Sequence, residues 1–145
     1  MQISTKFTIA IHILTAAEYF KDTRKVTSAF LAGSIGCNPV IVRNIMLQLQ
    51  SAGIIDVKRG PGGIAIKRPL SEITFLDIYR AVETGSGEDL FHFHEHPNPA
   101  CPVGKNIHKA LDSALAEIQC GFERELASHN VQQVCGVVES AQDSQ

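Results

Sequence analysis

Nowhere in the 145 residues does an apolar run exceed a few positions, so no segment is long enough to span a bilayer as a helix. The opening MQISTKF lacks a basic region leading into an apolar stretch, which argues against an export signal and predicts a cytoplasmic protein without membrane contact. The four cysteines (Cys37, Cys101, Cys120, Cys135) include no C-x-x-C pair and no paired zinc spacing. In a cytoplasmic setting they are expected to be reduced thiols, at most one of them reactive. No internal repeat is present, and no paired metal motif accompanies a general base, so an enzyme is not expected.

What is present describes an ordinary globular chain: 44% hydrophobic and 19% charged residues, at a length that suits one full domain or a small domain with an appendage. The net charge of −2 conceals a polarised molecule. Residues 1–70 hold nine Lys/Arg against three Asp/Glu, a net +6, whereas residues 71–145 hold four against twelve, a net −8. A basic half joined to an acidic half suggests that one half meets a polyanion.

Apolar spacing predicts the elements. Ile3, Phe7, Ala10, Ile11, Leu14 and Ala17 fall on one helical stripe over residues 3–20, with Ser4 or Thr5 as its cap. Val26-Thr27-Ser28 leads into a short helix over 29–35, stopped by Gly36. Asn38-Pro39 is a preferred cap followed by a preferred first helical residue, so a third helix runs from there to about Ala52. Its inward set is expected to be Ile41, Val42, Ile45, Met46 and Leu49, leaving Val40, Arg43, Asn44 and Gln48 outside.

After Gly53 the period becomes alternating: Ile55 and Val57, then Ile64 and Ile66, flank a Gly/Pro tip, which predicts a β-hairpin. Ser71 or Thr74 caps a fourth helix carrying Phe75, Ile78, Tyr79 and Val82. Past a break over 85–102, a stripe of Val103, Ile107, Leu111, Leu115, Ile118, Phe122 and Leu126 marks one long helix to about Ala127. Such a stripe is more than a small winged domain can cover, so a seam between two copies is expected, with packing onto the first or fourth helix as the alternative. The polar end of the last fifteen residues predicts fraying.

The segment KRGPGGIAIKR (58–68) can be a phosphate-cradling nucleotide loop or the tip of a hairpin. A nucleotide loop opens into a helix, with Lys and Ser/Thr after its last glycine. Here Ile64-Ala65-Ile66 is a second strand, so the hairpin reading holds. Helix, helix, turn, helix, hairpin is the order of a winged helix-turn-helix, whose third helix enters a major groove by its N-terminal residues. Those are Asn38, Pro39, Val40, Arg43 and Asn44. Arg43 suits a guanine edge or equally a phosphate, Asn44 an adenine edge and Val40 a thymine methyl. Thr5 and Lys6 at the first helix, Ser28 at the second, and Lys58, Arg59, Gly60, Pro61 and Gly62 in the wing complete the DNA-facing set.

The stretches ISTKFTIAIHIL and VTSAFLAGSIGCNPVIVRNIMLQLQSAGIIDVKRGPGGIAIKRPLSEITFLDIYRAVE resemble the IscR/NsrR/CymR-type family of winged helix-turn-helix transcriptional regulators. The resemblance runs with almost no gaps over residues 2–83 and, through HPNPACPVGKNI and the long helix, to about 127, nearest to YwnA-like members. The wing matches residue for residue from Arg59 to Gly63, while Ile64 stands where the family often has an aromatic residue. The resemblance implies a homodimer, usually a repressor, on a near-palindromic double-stranded DNA operator.

The sensor half departs from that pattern. Iron–sulfur members carry three cysteines between the fourth and the long helix, but residues 85–104 hold only Cys101, so a cluster needs His ligands or a partner chain and no cofactor is expected. His92, His94 and His96 alternate in FHFHEH and with Cys101 or Glu95 suit a transition metal; without paired spacing, a polar loop titrating near neutrality is the simpler reading. Cys101, near a helix N-terminus, is the best redox-thiol candidate, and Cys37 a second.

The expectation is therefore a mainly α protein with a small β-hairpin: a winged helix-turn-helix domain over 1–84, a sensor loop over 85–102, and a dimerisation helix with tail over 103–145. Its expected function is sequence-specific transcriptional regulation, repression above all, in response to a redox, metal or small-molecule signal. A winged-helix interaction module that never touches DNA is the alternative.

Overall fold

Capping chemistry sets most element boundaries in the computed structural model, which describes residues 3–58, 63–83 and 90–144. Helix α1 (Thr5–Tyr19) starts at Ser4, whose hydroxyl accepts the Lys6 N–H. Helix α2 (Ser28–Ile35) is capped by Thr27, which accepts the Phe30 N–H at 3.2 Å. Gly36 ends it in the left-handed region (φ +81°). Helix α3 (Pro39–Ser51) begins at Asn38, as the Asn-Pro pair predicts. Strands β1 (Ile55–Val57) and β2 (Ile64–Ile66) pair antiparallel, with Ile55 opposite Ile66 and Val57 opposite Ile64.

A 3-10 turn over Leu70–Glu72 precedes helix α4 (Phe75–Val82). Thr74, rather than Ser71, caps α4 through a reciprocal box: its hydroxyl accepts the Asp77 N–H and its own N–H donates to the Asp77 carboxylate, both at 3.1 Å. Helices α5 (Pro102–Ala127) and α6 (Val131–Asp143) follow. The architecture is mainly α with a two-stranded hairpin, as expected.

The core lies between α1, α2, α3, α4 and the hairpin: Ile13, Leu14, Leu31, Val42, Ile45, Leu49, Ile54, Ile55, Ile73 and Ile78 are all buried. Ile41, expected inside, is 44% exposed, because a 3.6-residue period carries it off the Val42–Ile45–Leu49 stripe.

The C-terminal segment corrects the sequence reading. It does not fray. Asn130 and Gln133 form a second reciprocal cap, and α6 packs against α1 with Val131 and Cys135 buried in the same core. The turn before it is zipped to the start of α4: Phe75 N–H donates to His129 O (2.9 Å), Val131 N–H donates to Ile73 O (3.1 Å), and the Phe75 and His129 rings stack. Of the polar end that suggested fraying, residues 141–143 form the exposed last turn of α6 and Ser144 its C-cap.

Helix α5, 26 residues and about 39 Å long at 1.5 Å per residue, has no buried residue. It rests on α4 near its C-terminal end, where Phe122 meets Tyr79 edge-on at 5.5 Å and Glu123 reaches Arg80 at 4.0 Å. Along its stripe Val103 (67%) and Ile118 (51%) remain exposed. No single helix among the described residues is long and apolar enough to cross a membrane.

Candidate nucleic-acid interface

Helices α2 and α3 turn through 113° across the short Gly36-Cys37-Asn38 connection. Gly36 N–H and Cys37 N–H both donate to Ala32 O (2.8 and 3.2 Å), closing α2, and the Asn38 side chain accepts the Val40 N–H (2.8 Å), opening α3. Two caps only two residues apart, Gly36 and Asn38, fix the angle at which α3 leaves the core.

The outward face of α3 is Val40, Arg43, Asn44 and Leu47, at spacings of three and four. Arg43 and Asn44 are exposed, Val40 is 51% and Leu47 57% exposed. Leu47 escaped the sequence reading, where a leucine at helical spacing counts as core. Gln48, expected outside, is half-buried, and its Oε1 is buried with no hydrogen-bond partner among the described atoms. Asn38 and Pro39 are exposed at the helix tip, although the Asn38 oxygen is engaged as the cap.

Thr5 and Lys6 are exposed in the first turn of α1, but a carboxylate already sits there. Glu83, just past α4, accepts both the Ser4 N–H (3.0 Å) and the Ser4 hydroxyl (2.5 Å). The positive end of α1 is thus partly compensated from within, and Lys6 is the cation left over. Ser28 is half-buried as the first residue of α2, because Thr27 takes the capping role.

Of the wing, Lys58 is exposed, while Arg59, Gly60, Pro61 and Gly62 lie outside the described residues. Its base is held unusually tightly. Lys58 N–H donates to Gly63 O (2.9 Å), and Ile64 N–H donates to Val26 O (3.1 Å), stapling the hairpin to the α1–α2 connection. Gly63 has φ +74°, and a Cβ there would lie 2.8 Å from Val26 O, so only glycine fits.

Cys101 precedes the first turn of α5. The N–H groups of Gly104 and, less, Val103 favour its thiolate and hold its pKa below the ordinary thiol value. The loop before it is drawn close: Ala100 N–H donates to the Asn98 side chain (2.9 Å), Cys101 N–H donates to Asn98 O (3.2 Å), and a Cβ at Gly104 would lie 2.5 Å from that same carbonyl. Cys37 is half-buried.

His92, His94 and His96 are all exposed. Their neighbour His108, which no sequence pattern marked, organises the segment: its Nε2 donates to His94 O (3.0 Å), and its ring lies 4.6 Å from Phe93 and 5.3 Å from the His94 ring. His96, at φ +61°, pairs with exposed Glu95 at 3.7 Å. Among the described residues, no three His, Cys, Asp or Glu side chains gather as metal ligands. His94 meets α5 through His108, but FHFHEH does not gather its three histidines around one point among the described residues.

Two helices joined by a 113° turn, an exposed third-helix face and an adjoining hairpin define a winged helix-turn-helix protein. The chain belongs to the Rrf2 family, described as iron-dependent transcriptional regulators, whose pattern matches residues 3–136. It is 39% identical over 132 residues to YwnA of Bacillus subtilis, named as an HTH-type transcriptional regulator, covering 91% of this chain and 96% of that protein. A crystal structure described as a DNA-binding protein superposes with a TM-score of 0.71 at 35% identity, covering 89% of this chain and 97% of the other. IscR of T. potens shares the fold at a TM-score of 0.71 and 20% identity, covering 98% of this chain and 91% of that one.

The iron of the family description finds no matching ligand set within the described residues of one chain. Cys101 is a single thiol, and Cys120 lies nineteen residues further along the helix, about 28 Å away at 1.5 Å per residue.

Proposed function

We propose that this transcriptional regulator is a homodimeric, sequence-specific DNA-binding repressor that docks α3 in the major groove and the wing beside it, on a near-palindromic operator. The observation that carries the reading is the outward face of α3: a cation, an amide and two apolar side chains at Val40, Arg43, Asn44 and Leu47, the residue types that read base edges and thymine methyls. The dimer rests on α5, whose apolar stripe finds little cover within its own chain. Cys101, with its favoured thiolate, is the signal-receiving group of choice, and a redox signal is the reading its chemistry supports.

A second reading, a winged-helix interaction module without DNA, draws on the same face, because Val40, Ile41 and Leu47 are apolar enough to dock a protein. Electrophoretic mobility shift separates the two. The regulator binds DNA from its own upstream region, competitively over random duplex and with affinity that falls steeply with salt. Arg43→Ala relaxes preference at particular positions, whereas Arg59→Ala weakens all sequences alike and flattens the salt dependence. Wild-type affinity in both variants, or no binding in either oxidised or reduced protein, overturns the reading.

A further inference from the structure

Between the α1–α2 connection and the base of the hairpin lies a cleft of about 460 Å³ whose lining includes Lys21, Arg24, Lys25, Val26, Lys58 and Ile64. The Val26 staple creates it: by binding Ile64 N–H and leaving no room for a side chain at Gly63, it brings the basic α1–α2 connection against the base of the hairpin. The four cations are not equivalent. Lys21 is spent on Glu18, a second lining residue, at 2.6 Å. Arg24 lies over the Phe30 ring at 4.1 Å, which orients its guanidinium, and among the described residues no carboxylate pairs with it. Lys25 and Lys58 are exposed, and among the described residues no carboxylate pairs with either.

We propose that Arg24, Lys25 and Lys58 form a clamp for DNA backbone phosphates outside the segment that α3 reads, extending the grip of the wing along the flanking duplex. This rests on the DNA-binding reading above. Two features favour a duplex over a small free anion: the cations are spread over two elements, Arg24 and Lys25 on the α1–α2 connection and Lys58 just past β1, and Lys58 joins the cleft to the hairpin that the DNA-binding reading places on the duplex. A duplex backbone presents charge repeatedly to such a spread set, which a compact anion does not.

The test measures Kd by fluorescence anisotropy across about 50 to 200 mM salt, on a long duplex carrying the selected site and on the same duplex trimmed flush with it. Lys25→Gln is expected to lower the slope of log affinity against log salt by about 0.9 for each subunit's lost contact. The ratio of wild-type to variant affinity then shrinks about 3.5-fold per subunit over that salt range. The difference disappears on the trimmed duplex, Lys25→Arg restores the wild-type slope, and Lys109→Gln on α5, which removes the same charge elsewhere, changes nothing. Unaltered slopes for both Lys25→Gln and Arg24→Gln, with wild type binding normally, overturn the clamp. So does an equal loss on both duplexes, or competition by inorganic pyrophosphate with no dependence on flank length. A Lys25→Gln protein that melts earlier than wild type makes the residue structural and likewise overturns it. If wild type itself binds no DNA, the regulator reading falls first and the clamp with it.

Discussion

Gly63→Ala tests how firmly the wing is anchored. The residue sits at φ +74°, where an alanine pays about 1–2 kcal/mol in backbone strain. Its Cβ would also lie 2.8 Å from Val26 O and 3.0 Å from Val26 N, both backbone atoms that cannot rotate away. Relief requires the hairpin base to retreat, which weakens the 3.1 Å Ile64–Val26 hydrogen bond, a contribution of about 1 kcal/mol. The expected destabilisation is roughly 2–3 kcal/mol, or a fall in Tm of roughly 4–12 °C for a chain of this size. Gly33→Ala is the matched control: it lies inside α2 with nothing near its Cβ position, so alanine stabilises by up to about 1 kcal/mol through helix propensity. Calorimetric or circular-dichroism melting reads both. A Gly63→Ala protein that melts with wild type refutes the staple, whatever its effect on DNA binding.

Val131→Ala empties a fully buried site between α6 and α1 and is expected to cost roughly 2–3 kcal/mol in chemical denaturation, against a change within about 0.5 for exposed Gln132→Ala. Iodoacetamide trapping with mass spectrometry should label Cys101 at a pH below that needed for an ordinary thiol, and leave Cys135 unlabelled until the protein unfolds. Burial pushes the Cys135 thiol up, so its folded pKa exceeds its unfolded one. Its stabilising contribution is whole below the ordinary thiol pKa and drains as pH rises through the folded value, so Cys135→Ala should flatten the alkaline limb of a stability–pH profile.

Local chemistry made the N-terminal half legible. Thr27, Asn38-Pro39 and Gly36 each act within a few residues of themselves, so caps and turns can be read without knowing what packs on what. The alternation of Ile55, Val57, Ile64 and Ile66 likewise carries its own register. What the chain hid depends on partners distant in sequence. Residues 131–143 are too polar on one face to announce a core helix, and only contact with α1 reveals Val131 and Cys135 as interior. Glu83 at the Ser4 cap and His108 beneath Phe93 are meetings across 79 and 15 positions that no spacing encodes. Ile41 was misassigned and Leu47 overlooked for a simpler reason: in a helix rich in apolar residues, composition does not say which stripe faces in. The candidate DNA-contacting residues Val40, Arg43 and Asn44 are exposed on one face of α3, but the tip of the wing lies outside the described residues.

The return of α6 to α1 has a consequence for how the molecule is made. Ala10, Ile13 and Leu14 share their core with Val131 and Cys135, which follow Leu14 by more than a hundred residues. The helix-turn-helix and hairpin are contiguous and can gather early, yet the face of α1 they leave uncovered waits for more than a hundred residues of further synthesis. Closing so long a loop is entropically affordable but slow. The nascent chain therefore carries an open apolar side on α1 until residues 131–135 have emerged, and a chain cut short of Val131 would keep its helix-turn-helix while leaving that side of α1 bare.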